Sequence, residues 1–157
     1  MMEVADLQET GSSAWAHIRR ATVKRGMAVS PEPRQSPRDW KVYVPQQFRD
    51  QEWPLGEPLF GALAEREPQS LLRLVESGVL DRVDLSFALE ALGRAGAEYE
   101  QVLISKLTHS QAVVREGAVC GLAEFDGERV RQALLRVARD DSSPGVRAAA
   151  EQVLAGL

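Results

Sequence analysis

The chain has 157 residues, of which 44% are hydrophobic and 27% charged. This composition fits one folded domain with room for an added arm, and it excludes wholesale disorder. Its single cysteine, Cys120, excludes an intrachain disulfide framework, and no apolar run approaches the roughly 18 residues that a membrane span needs. The N-terminal residues lack a signal-peptide core, so we expect a cytoplasmic protein that does not enter a membrane.

The formal net charge of −4 is unevenly distributed along the chain. Residues 12–49 carry eight basic and two acidic residues, which gives +6 and leaves −10 for the rest. A basic segment of this kind can bind an anionic partner, or it can lie against its own acidic body. The sequence leaves both interpretations open.

Residues 1–56 predict a basic, proline-rich arm with extended or looped backbone. Within it, the alternating run Trp-Lys-Val-Tyr-Val at 40–44 predicts a strand. Basic residues interleaved with aromatic ones are suited to contacting a partner. The candidate partner-binding residues are Trp15, Arg19, Arg20, Lys24, Arg25, Trp40, Tyr43 and Trp53.

Residues 57–157 predict a helical domain. Proline stands at the start of three segments, at positions 58, 68 and 144, the last directly after the N-cap candidate Ser143. Gly78, Gly96 and Gly127 fall where helices should stop or turn. Together with the 3.6-residue apolar period, these signals predict seven helices, at 57–66, 68–77, 84–94, 97–108, 111–124, 128–139 and 144–156.

An internal repeat covers the second half of the chain. A Val-Arg-x-x-Ala-x-x-x-Leu pattern recurs after 32 residues; its members are Val114, Arg115, Ala118 and Leu122, then Val146, Arg147, Ala150 and Leu154. The preceding helices match at an offset of 31, with Tyr99, Leu103, Ile104 and Leu107 against Val130, Leu134, Leu135 and Ala138. A looser earlier unit places Leu71, Leu72 and Val75 at 32 residues before Leu103, Ile104 and Leu107. We expect the apolar positions to form the core and the alanines to let helices approach closely.

The stretches DDSSPGVRAAAEQVLAGL and HSQAVVREGAVCGLAEF resemble HEAT repeats of the short bacterial type first associated with phycobilisome lyase subunits. The resemblance covers residues 58–157. It implies an all-α fold, a short right-handed α-solenoid of about three helix pairs behind the N-terminal arm. It also implies a ladder between repeats in which Asp140 or Asp141 meets Arg147. Arg115 holds the equivalent position, although its own turn (Thr108, His109, Ser110) contains no aspartate.

The sequence offers no constellation that predicts catalysis, a metal site or a cofactor site. Ser105 and His109 lie four apart, but without an orienting acid they indicate a polar helix end. The pair Asp140-Asp141 is better explained by capping and the ladder than by metal, and Cys120 by packing. Acidic residues near the first helices indicate a solvated face or, alternatively, a contact surface for a basic partner; they are Glu65, Glu67, Glu76, Asp81 and Asp84.

These observations favour a non-enzyme: a protein-binding module (an adaptor, inhibitor or assembly subunit) that uses the repeat surface and the arm to bind another protein. The alternative is nucleic-acid binding through the basic arm, which the acidic repeats make less favourable. A second alternative, a lyase or chaperone-like subunit, follows from the resemblance alone.

Overall fold

A computed structural model describes residues 40–49 and 56–157, all within the compact unit Gln35–Leu157. In these residues the protein is all-helical, with no strand. The α-helices are α1 Gln46–Arg49, α2 Gly56–Arg66, α3 Pro68–Glu76, α4 Arg82–Gly93, α5 Glu100–Lys106, α6 Ala112–Leu122, α7 Glu128–Asp140 and α8 Pro144–Gly156. Two 3-10 helices, Trp40–Tyr43 and Ala97–Tyr99, complete the set.

The helices form two layers. The first layer contains α3, α5 and α7, and each of them packs against the helix that follows it in the chain. The second layer contains α2, α4, α6 and α8, in which each helix packs against the next of that layer. This stack of helix pairs confirms the predicted short α-solenoid.

Local sequence explains most helix boundaries. All seven predicted segments are helical, although 97–108 begins with the 3-10 turn before α5. Gly78, which follows α3, has a φ of +75°, a conformation that favours glycine. Helix α4 begins two residues before the prediction because Asp81 Oδ1 accepts hydrogen bonds from the amides of Val83 and Asp84, both at 2.8 Å. Ser143 does stand at the N-cap of α8, but its side chain makes no capping bond.

The predicted strand at 40–44 is wrong. Residues Trp40–Tyr43 form a 3-10 helix that packs on α3, and α1 follows directly after Pro45. A lone strand needs a neighbour for its backbone groups, and no strand exists in the ranges 40–49 and 56–157. Val44, which follows the 3-10 helix, and Phe48 of α1 are buried, whereas Val42 within the 3-10 helix is 69% exposed.

The core runs between the two layers, and within the second layer α4 and α6 approach each other closely. The repeat positions Val114, Ala118, Leu122, Val146 and Ala150 are all buried, whereas Leu154 is half-buried. The backbones of α4 and α6 meet through glycines: a Cβ added to Gly121 would lie 2.6 Å from the Leu89 carbonyl oxygen, and one added to Gly117 would lie 2.5 Å from the Ser86 carbonyl oxygen. Small residues were expected at such contacts, but at Ala118 and Ala150 rather than at these glycines.

Candidate functional site

The outer surface of the first layer repeats itself from helix to helix. The same offsets that relate the repeats, 32 and then 31 residues, align a row of glutamines and a row of aliphatic residues across α3, α5 and α7. The glutamine row is Gln69, Gln101 and Gln132, and the aliphatic row is Leu72, Ile104 and Leu135. We call these two rows together the outer rows.

The aliphatic row is most exposed at its last member, Leu135. Leu72 and Ile104 are half-buried, and Leu135 is 46% exposed. The sequence-based expectation that Ile104 and Leu135 belong to the core is therefore wrong. The core positions of α7 are Val130, Ala133, Leu134 and Val137, and Leu135 lies about 100° around the helix from Leu134.

All three glutamine side chains are exposed and held by one hydrogen bond each. The Nε2 of Gln69 donates to the Tyr99 hydroxyl (3.1 Å), Arg129 donates to the Oε1 of Gln101, and the Nε2 of Gln132 donates to Glu128 (2.6 Å). A carboxamide offers two N–H donors and two acceptor lone pairs, so most of each group's capacity is unused in these bonds. The glutamines are positioned and still able to bind.

Arginines flank the outer rows on α7. Arg129, Arg136 and Arg139 are exposed. Arg129 lies 4.0 Å from Glu100, and Arg139 makes a two-pronged contact with its neighbour Asp140 (2.7 and 2.8 Å). This part of the first layer is basic, although the chain as a whole is acidic.

A second feature lies in the turns between helix pairs. The carboxylate of Asp141, in the turn between α7 and α8, accepts hydrogen bonds from the Nε (2.7 Å) and Nη2 (2.8 Å) of Arg115 on α6. Both side chains are largely buried, with exposed fractions of 11% and 6% for Arg115 and Asp141. Planar, two-pronged pairs of this kind are the strong ones. The pair links one helix pair to the next.

Charge pairing shifts the pKa values of both groups. The hydrogen bonds from Arg115, and secondarily the backbone N–H of Ser143, hold the pKa of Asp141 below its usual value, against an opposing contribution from burial. The bond with Asp141 raises the pKa of Arg115. Both groups are therefore charged across the physiological pH range.

The ladder implied by the resemblance is thus present with different partners. Arg147 does not bind the carboxylate of Asp140 or Asp141; its Nη1 donates to the backbone carbonyl of Asp141 (2.6 Å). Arg115 takes the Asp141 carboxylate from the following turn, and its Nη1 donates to the carbonyl of His109 (2.8 Å). Arg115 is paired although its own turn contains no aspartate, because its acceptor is Asp141, 26 residues later in the chain.

Residues 80–155 match the family model for HEAT repeats. The matched residues are just under half of the chain and cover α4 to α7, all but the last residue of α8, and the Arg115–Asp141 pair. Comparison with curated proteins and with solved structures gave no match.

The arm residues proposed for partner binding are only partly described. Trp15, Arg19, Arg20, Lys24, Arg25 and Trp53 lie outside the described residues. Trp40 begins the first 3-10 helix, and Tyr43, which ends it, is half-buried. A binding role for the arm stays a prediction.

The groups considered for other chemistry are engaged locally. Ser105 Oγ donates to the Val102 carbonyl (2.6 Å), and Nδ1 of His109 accepts from the Gln111 amide (3.1 Å). Cys120 is half-buried on α6.

Among the acidic residues, Asp81 caps α4, Glu65 and Glu76 are exposed, and Glu67 and Asp84 are half-buried. Within 40–49 and 56–157, no group of three or more potential ligands could hold a metal, and no helix is long and apolar enough to cross a membrane.

Proposed function

We propose that the protein is a non-catalytic protein-binding module, an adaptor, inhibitor or assembly subunit, that contacts its partner through the outer rows together with the N-terminal arm. The observation that carries the proposal is the recurrence of an aliphatic residue at the same position of the three first-layer helices, half-buried at Leu72 and Ile104 and 46% exposed at Leu135. A single exposed leucine needs no explanation. The aliphatic row lies in register with the glutamine row, so together they form a surface that offers apolar contact beside hydrogen-bond donors and acceptors.

The spacing of the rows limits what can bind there. Helices α5 and α7 contact each other, and packed helices lie about 8–10 Å apart, so the part of each row on these two helices spans roughly 10 Å. An extended polypeptide rises about 3.3 Å per residue, so about three residues of a partner would cover this part of the row. Its apolar side chains would cover Ile104 and Leu135, and its peptide groups would bond to the glutamine side chains.

The proposal is tested by recovery of the partner from native extract with the tagged chain, followed by mass measurement. Leu135→Asp places a charge in the aliphatic row at an exposed position, so it should abolish recovery of a stoichiometric partner without unfolding the protein. Gln152→Asp, which adds the same charge at an exposed position of α8 in the second layer, should leave recovery unchanged. Equal recovery with both variants, or no stoichiometric partner with the native chain, would contradict the proposal.

Two finer assignments belong to the same proposal. The Val-Arg-Ala-Leu pattern supports repeats of the short bacterial type found with phycobilisome lyase subunits, and the composition supports a cytoplasmic location. A role as a lyase or chaperone-like subunit would give chromophore absorbance bound to the chain on co-expression. Absence of that absorbance would leave the binding module as the better account.

Nucleic-acid binding is the second candidate, and the exposed arginines of α7 are the observation that favours it. Together with the basic segment 12–49 they could neutralise phosphates. Titration with single- and double-stranded oligonucleotides at low salt should then give binding that weakens steeply with salt and is largely lost on deletion of residues 1–34, which leaves the unit Gln35–Leu157 whole. No binding at low salt would eliminate this candidate.

A further inference from the structure

The two ladder arginines are anchored in the same way but differ in what they bind. In each, Nη1 donates to the backbone carbonyl six residues earlier: His109 for Arg115 (2.8 Å) and Asp141 for Arg147 (2.6 Å). With the same anchor, the Nε–Nη2 edge of Arg147 is expected to face away from α8 as that of Arg115 faces Asp141. Arg115 binds the Asp141 carboxylate through this edge, whereas the hydrogen bond seen for Arg147 within 40–49 and 56–157 is the one from Nη1, and its charge acts on Asp141 only as a minor influence.

The face of α8 that carries Arg147 also differs from its counterpart on α6. Positions spaced by four and then three residues share one helix face. On α6 this face holds Arg115, Val119 and Leu122, and both apolar residues are 0% exposed. On α8, 32 residues later, it holds Arg147, Glu151 and Leu154, with Glu151 exposed and Leu154 half-buried. We call these three residues of α8 the edge face.

The glutamate decides what can cover the edge face. A helix pair stacked on α8 as α8 stacks on α6 would bury the Glu151 carboxylate at the position where α6 buries Val119. Burying a carboxylate without a cationic partner is costly. An occupant that brings a carboxylate to Arg147 and a cation to Glu151 would compensate both charges.

A second copy of the chain supplies both the carboxylate and the cation. Arg147 and Glu151 lie four residues apart, about 6 Å along the helix. If a second α8 runs antiparallel across a two-fold axis at the level of residue 149, Arg147 of each copy faces Glu151 of the other. Such an interface is self-complementary, as two-fold symmetry requires. We propose that the edge face is the contact through which two copies of this protein associate.

The area of the edge face limits how tightly two copies can associate. Helix α8 has 13 residues and measures about 20 Å, and one helix face buries less than the roughly 800 Å² per partner of a standard stable interface. Association should therefore be weak, with a dissociation constant on the order of 10–1000 µM. The inference is independent of the proposed function, because the edge face belongs to the second layer and the outer rows to the first.

Sedimentation equilibrium over about 10 µM to 1 mM at low ionic strength tests the proposal through charge reversal. The native chain should show a monomer–dimer equilibrium. Glu151→Arg and Arg147→Glu should each weaken it about tenfold or more, because both reciprocal pairs become repulsive. An equimolar mixture of the two variants should associate again, since each mixed pair restores two opposite-charge contacts, and the double variant should recover self-association.

Glu124→Arg is the matched control, because it makes the same charge change at an exposed carboxylate outside the edge face, and it should leave association unchanged. Circular dichroism checks that Arg147→Glu, which also loses the bond to the Asp141 carbonyl, still folds. If that variant fails to fold, Glu151→Arg at its exposed position carries the test together with Glu151→Ala, which should weaken association less. A monomeric native chain at 1 mM, or a dimer that Glu151→Arg leaves intact, would overturn the proposal.

Discussion

The close contact between α4 and α6 gives a prediction in which two physical effects have opposite signs. Replacing a helical glycine by alanine reduces the entropy lost on folding and stabilises a helix by about 1 kcal/mol when the site is open. At Gly121, however, the new Cβ would lie 2.6 Å from the Leu89 carbonyl oxygen and 3.0 Å from Leu103 Cδ2. The first of these is a backbone atom that cannot rotate away, so α4 and α6 must separate.

Forcing an extra carbon into a packed contact costs about 1–3 kcal/mol, and a backbone clash lies at the upper end. After the gain in helix propensity is subtracted, Gly121→Ala should lower the free energy of unfolding by about 2 kcal/mol. Gly61→Ala is the control, because Gly61 lies within α2 and a Cβ there meets nothing within 4 Å. That variant should gain about 0.5–1 kcal/mol.

Urea denaturation of the two variants, followed by circular dichroism at 222 nm, measures both changes in the free energy of unfolding. Thermal denaturation gives the corresponding melting temperatures. The melting temperature of Gly121→Ala should fall by about 5–10 °C, and that of Gly61→Ala should rise by a few degrees. The result that refutes the reasoning is the same sign for both variants. It would mean that α4 and α6 do not cross through their glycines.

Three further predictions concern the turns and caps. Arg115→Ala should destabilise the protein by about 2–4 kcal/mol, because it leaves the Asp141 carboxylate buried without its partner. Arg139→Ala removes only the solvent-exposed pair with Asp140 and should leave the urea midpoint essentially unchanged; similar losses for the two variants would contradict the account. Because the folded-state pKa of Asp141 is lowered, its contribution should be fully present above the unfolded value of about 3.9 and be lost as the pH falls below it. Asp141→Asn should therefore flatten the loss of stability between about pH 5 and pH 2, and an unchanged acid profile would refute this. Asp81→Ala should cost about 1 kcal/mol through the loss of two amide bonds at the start of α4, whereas Ser143→Ala, whose side chain caps nothing, should change thermal stability by only a few tenths.

The helices could be predicted because their signals are local. Proline at positions 58, 68 and 144 and the apolar period along the chain are readable in one short window. The predicted start of α4 is two residues late, because the apolar period alone does not identify Asp81 as the residue that caps the helix. The alternation at 40–44 predicts a strand, but five residues are too few to distinguish a strand from a short helical turn. The tertiary structure favours the turn, since Trp40–Tyr43 contacts α3 and the following Val44 and Phe48 are buried.

The candidate surfaces depend on contacts that a local window does not contain. The resemblance implies a carboxylate partner for Arg115 in its own turn, whereas the fold brings Asp141, 26 residues later in the chain, to Arg115. Ile104 and Leu135 share the repeat offset with core residues, so recurrence alone did not separate buried from exposed aliphatic positions. The glutamine row could have been found from the sequence, since Gln69, Gln101 and Gln132 obey the same offsets.

The central claim, that a protein partner lies on the outer rows, is tested most directly by site-specific photo-crosslinking in the native cell. A photoreactive phenylalanine analogue at position 135 should give one discrete crosslinked species of stoichiometric yield, and the same analogue at position 104 should give the same species. At position 152, in the second layer, it should give none of that species. Crosslinks at 152 without crosslinks at 135 and 104, or no discrete species at either outer-row position, would contradict the claim.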